Sequence, residues 1–172
     1  MPPKFYNKKF IKKGEPKKEP KEKQINENAK YLIIVESPSK CDKIESYLGS
    51  EYCCIASKGH IRMIDGIKSI DIKKTFEPMF SIINEKRQHI EWMRTIISRF
   101  QKNNVILATD DDREGEAIAW HICEIFEFPI KSTHRIIFHE VTKTALIDAV
   151  NNPKIINMNL VKAQHALSLI HI

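Results

Sequence analysis

The sequence predicts an α/β fold, a parallel sheet with helices on both faces. Three observations predict it. Short apolar runs rich in Val and Ile occur at 31–35, 105–108 and 135–138, each too short for a helix. Stretches with apolar residues at helical spacing alternate with them, the order expected of parallel strands joined by crossover helices. Two of the runs end abruptly in acids, Glu36 and Asp110. In open α/β sheets, ligands bind just beyond the carboxyl ends of the strands.

The elements follow in order. Residues 1–30 carry ten lysines against four glutamates, with Pro16 and Pro20 and no periodic apolar face. This Lys-rich tail is expected to be disordered, a solubilising extension, a nuclear address or a salt-sensitive hold on nucleic acid. It holds all of the chain's net charge of +6, since the remaining residues balance. Tyr31–Val35 reads as a buried strand, with Pro38 suited to a first helical turn and a serine to cap it. Ile44, Tyr47 and Leu48 give a short helix that Gly49 should stop. Glu51–Ile55 reads as a strand, 57–62 as a basic loop, and 64–80 as irregular, with Phe76–Phe80 a packed loop. Apolar positions from Ile83 to Phe100 mark a long helix leading into the strand Val105–Ala108. A helix follows over 116–127, a strand over Arg135–Phe138, and a helix containing Ala145, Leu146, Ala149 and Val150.

Cysteines 41, 53, 54 and 123 lack metal-ligand spacing and read as reduced packing residues of an intracellular protein. No secretory signal and no apolar stretch of membrane-spanning length is visible. Neither a Walker sequence, nor GxGxxG, nor a Ser–His–Asp elbow is present, so nucleotide hydrolysis and triad chemistry are not indicated.

The chemistry concentrates at Asp110, Asp112 and Glu114, spaced i, i+2, i+4. If the chain stays extended there, all three carboxylates project to one side. Like charges about 5 Å apart repel by roughly 3 kcal/mol per pair at an effective dielectric near 20. A hard cation such as Mg2+ would relieve them, and the competing reading is an acidic helix start favoured by the helix dipole. Glu36, ending the other buried strand, would face them across a cleft. Lys58, His60 and Arg62 flank Gly59 and supply donors suited to a phosphate backbone.

Four motifs in this order, VESPSK, SKGHIR, ATDDDREGEAIAWH and FHEVT, resemble the Toprim domain of type IA DNA topoisomerases. The VESPSK form fits the bacterial topoisomerase I and reverse gyrase branch. The resemblance runs from about Tyr31 to Gln164. It implies a Rossmann-like Toprim fold over 31–158, with 159–172 the start of the next topoisomerase domain. It also implies a monomer in the cytoplasm or nucleoid (a nuclear or viral setting also fits) that cuts one DNA strand through a tyrosine, passes the other, and religates. Glu36 would manage the leaving and returning 3′ hydroxyl, and Lys40 the phosphate's developing charge. Asp110, Asp112 and Glu114, with Glu36, would hold Mg2+, while Lys58, His60, Arg62 and Arg113 would lie against single-stranded DNA. Tyr6, Tyr31, Tyr47 and Tyr52 match no family nucleophile, so the chain by itself is expected not to cleave DNA. The ending His165–Ile172 lacks the family's arginine-containing helix, as a truncated or frame-shifted reading would. The rival expectations are a stand-alone Toprim nuclease or primase-like protein, a non-catalytic nucleic-acid-binding module, and, last, a phosphoryl-accepting acid pocket.

Overall fold

The computed structural model describes residues 25–26, 28–66, 69–70 and 78–170. Most of the Lys-rich tail and the Phe76-Glu77 part of the expected packed loop lie outside the described residues. Four parallel strands, β1 (Tyr31–Val35), β2 (Tyr52–Ala56), β5 (Val105–Ala108) and β6 (His134–Arg135), form a sheet in the order β2-β1-β5-β6. The connections run outward from β1 in one direction to β2 and in the other to β5 and β6. The order therefore reverses between β1 and β5, and a crevice opens at their carboxyl ends.

Strand alternation explains why helices cover both faces. Leu32, Ile34, Cys53, Ile55, Val105 and Leu107 point to one side. There they pack on α2 (Arg87–Ile97), α3 (Arg113–Phe126) and Val161 of α5 (Met158–Ile170). Ile33, Val35, Cys54, Ala56, Ile106 and Ala108 point to the other, against α1 (Cys41–Leu48) and α4 (Lys143–Asn151). A strand buried on both faces can carry no polar alternation, hence the continuous apolar runs in the sequence. Full burial of each such Leu or Ile contributes about 1.5–3 kcal/mol. Register then aligns the edge. Val35 pairs with Ala56 on one side and Ala108 on the other, so Glu36, Ser57 and Thr109 emerge side by side.

Several boundaries differ from expectation, each for a local reason. The long helix begins at Arg87 rather than Ile83, because Ile83 is extended and its amide is bonded to the Ile61 carbonyl at 3.1 Å. The span expected to be irregular contributes to an antiparallel pair, β3 (Arg62–Ile64) with β4 (Phe80–Ile82). The last strand stops at Arg135, whose amide and carbonyl pair with Lys154. Gly49 ends α1 as expected, at φ 88°. Pro38 opens a 3-10 turn over Pro38–Lys40, but the Ser37 hydroxyl meets Ser39 at 2.8 Å and caps nothing. Among the described residues, no helix is long and apolar enough to cross a membrane.

Candidate active site at the carboxyl ends of β1 and β5

The acidic segment departs from the expected extended form at one point, and that point sets the geometry. The helix after β5 starts at Arg113, not 116, because the Asp112 carboxylate accepts the Gly115 amide at 2.6 Å and caps it. Glu114 is therefore helical, and the extended i, i+2, i+4 comb ends at Asp112. Gly115 sits tight under this turn. A Cβ there would lie 2.9 Å from the Asp110 carbonyl carbon and amide nitrogen, and closer still to the carbonyl oxygen. Thr109 locks the turn by donating its hydroxyl to the Gly115 carbonyl at 2.7 Å.

The acids are nonetheless brought together with partners from the other strands. Lys40 donates to Asp110 at 2.5 Å, and His60 meets Glu114 at 2.7 Å. Both pairs are partly exposed, so each contributes at most about 1 kcal/mol to stability, and their value is positional. Burial, followed by the charges of Asp110 and Glu114, pushes the Glu36 carboxyl above its ordinary 4.5, while His60 pulls the other way. Asp111 faces the exposed His139 ring at 3.6 Å.

The expected DNA-facing residues separate. His60 joins the acids, and Arg113 opens α3 at an exposed position. Arg113 lines a cleft of about 390 Å³ with Asp112, Glu114 and Gln164. Lys58 is exposed, in a left-handed backbone (φ 60°) beside Gly59 (φ 85°), and its amide donates to the Glu36 carbonyl at 2.9 Å. A left-handed non-glycine residue costs about 1–2 kcal/mol, so surrounding contacts must hold it. Arg62 is committed elsewhere. Its guanidinium lies 5.5 Å from the Phe80 ring centre and 5.6 Å from that of Trp120, and it donates to the Phe80 carbonyl. The same ring cluster holds His121, whose buried imidazole is pushed down to about 3.

Sequence reasoning missed what anchors the acidic edge. Arg135 is wholly buried and donates to Glu116 Oε1 at 3.0 Å. It also donates to the Thr109 carbonyl at 2.8 Å and the Asp110 carbonyl at 2.8 Å. Glu116 is 3% exposed and also accepts the Asn157 amide at 3.2 Å. The one signal was an arginine opening the short run Arg135–Phe138 that reads as a strand, where burial is tolerated only with a partner.

Oxygen donors of this kind suit a hard cation, and Glu36 feels Asp110, Glu114 and Asp112 together. Among the described residues, however, no three His, Cys, Asp or Glu side chains stand gathered to ligate one. Asp110 and Glu114 face Lys40 and His60, and Asp112 faces its own helix. Tyr31 and Tyr52 stack on each other at the opposite, amino-terminal end of the sheet, with ring centres 5.1 Å apart.

This is a doubly wound α/β domain with an acidic cleft at its switch point. Residues 31–141 match the Toprim domain family. The chain is also similar to the solved full-length topoisomerase I from Thermotoga maritima, at 40% identity and a TM-score of 0.68. That match covers 77% of this chain and 22% of the Thermotoga protein. The chain belongs to the Toprim domain family.

Proposed function

We propose that the chain serves as the Toprim part of a type IA DNA topoisomerase, handling the scissile phosphate and the 3′ hydroxyl on single-stranded DNA. The observation that carries this reading is the convergence of Glu36, Lys40, His60, Asp110 and Glu114 from three separate segments on one crevice. Positioning and charge neutralisation are most of what phosphoryl transfer demands. Glu36, raised by burial and its acidic neighbours, is suited to hold a proton for the departing 3′ oxygen. The Lys40 ammonium, held at Asp110, would stabilise charge developing on the phosphate. One or two carboxylates drawn from Glu36, Asp110, Asp112 and Glu114, with water and phosphate, would hold Mg2+, which would supply charge neutralisation and alignment of the DNA ends. His60, Lys58 and Arg113 line the approach for the backbone, and Arg62 would support the loop rather than touch DNA. The tail of residues 1–30 would add salt-sensitive, sequence-independent affinity.

The test uses the full chain and a fluorescent single-stranded oligonucleotide, titrated with and without Mg2+. Mg2+ is expected to tighten binding, and the Asp110→Asn, Asp112→Asn double variant to lose that gain while keeping binding in EDTA. Mg2+-independent binding by the wild-type chain would overturn the reading. Mg2+-dependent nicking by the chain alone would favour a nuclease instead.

A further inference from the structure

The loop Ser57–His60 carries His60 to the acids, yet it runs through two successive left-handed residues, Lys58 and Gly59. A loop of this kind keeps its shape only where its surroundings over-determine it. On one side its amides are tied to β1: Ser57 donates to the Val35 carbonyl and Lys58 to the Glu36 carbonyl, both at 2.9 Å. On the other side the Lys58 carbonyl, and that of Ala56 at the end of β2, are tied to the start of α2. Lys86 donates its ammonium to the Lys58 carbonyl at 2.6 Å. The His89 ring meets the Ala56 carbonyl at 2.8 Å and, because a carbonyl only accepts, must donate through Nε2. Trp92 stacks on His89 with ring centres 5.2 Å apart, fixing that ring in turn. The Ile83 amide on the Ile61 carbonyl closes the loop's far end. Lys86 thus holds the middle of the loop, at the strained residue itself.

We propose that Lys86 is a positioning residue. Through the Lys58 carbonyl it fixes the left-handed turn that aims His60 at Glu114 and keeps the Lys58 amide on Glu36. Lys86 acts on the site through the loop and needs no contact with substrate. The inference deepens the proposed topoisomerase reading but is tested separately from it, because the geometry exists without DNA.

The experiment compares the full wild-type chain with Lys86→Met, which keeps side-chain length and removes the donor, and Lys86→Arg, which restores one. The first readout is the nuclear Overhauser contact between the His60 ring and the Glu114 side chain in the free protein. A charge-assisted hydrogen bond lost from a partly exposed site lowers the loop's ratio of ordered to disordered forms about fivefold. The contact should therefore weaken in Lys86→Met and return in Lys86→Arg, with the core amide spectrum unchanged in both. An undiminished contact in Lys86→Met overturns the proposal, and so does a loss that Lys86→Arg fails to restore. Should Lys86→Met not fold, Lys86→Gln is read in the same way. Oligonucleotide binding in Mg2+ is measured alongside. Loss of the contact with unchanged binding leaves the positioning role standing and removes the topoisomerase reading's claim on the loop.

Discussion

The buried pair Arg135–Glu116 offers the sharpest test of how this site is held. Arg135→Met removes four donated hydrogen bonds, to Glu116 Oε1 and to the carbonyls of Thr109, Asp110 and Ile136. It leaves a carboxylate that is 3% exposed and whose remaining hydrogen-bond partner among the described residues is the Asn157 amide. Breaking a buried pair in this way costs about 3–5 kcal/mol, most of it the penalty on the charge left behind. For a folded unit of this size that lowers Tm by roughly 6–20 °C. Glu116→Leu alone should cost a similar amount by stranding the guanidinium. The double variant removes both charges and should cost clearly less than the sum, with a coupling of at least about 2 kcal/mol. Urea unfolding followed by circular dichroism, on the wild type, both singles and the double, measures all four corners. Singles that each cost under about 1 kcal/mol, or a double that is simply additive, would refute the claim that this pair anchors the end of β5.

Three further outcomes follow from the same geometry. Gly115→Ala drives a Cβ into the Asp110 backbone and should cost about 1–3 kcal/mol, read as a lower Tm; an unchanged Tm would show that the turn yields freely. Glu36 has its carboxyl raised in the folded state, so the native fold binds a proton that the unfolded chain has already released. Stability from Glu36 is thus fully present below its ordinary 4.5 and is lost as pH rises through the raised value. In EDTA, Glu36→Gln should then match wild type at acidic pH and melt higher than wild type at neutral pH; the reverse order would contradict the direction of the shift. Removing residues 1–24 should flatten the salt dependence of oligonucleotide binding yet leave the Mg2+ gain intact, whereas loss of both would place the binding in the tail alone.

Apolar patterning alone was enough to foresee the sheet and the edge on which the candidate site lies. Runs such as Leu32–Val35 and Val105–Ala108 are apolar on both sides of the pleat, and only a strand covered by helices on both faces can bury them. Acids within two residues of the ends of two such strands emerge at the carboxyl edge, so the positions of Glu36 and Asp110 in the chain pointed to where the candidate site lies. Tertiary structure decided which partners those acids meet. Arg135 with Glu116, Lys40 with Asp110 and His60 with Glu114 are 19, 70 and 54 residues apart. Periodicity reports only which face a residue occupies, and carries nothing about which distant side chain shares that face. The helix start at Arg113 was hidden for a related reason. Asp112 reads equally as an extended ligand or as a cap, and the choice rests on a turn tight enough to require Gly115. Lys86 was invisible because its role exists only where α2 passes the Ser57–His60 loop. That meeting of two segments is set by the packed core beneath them, not by either segment's own sequence.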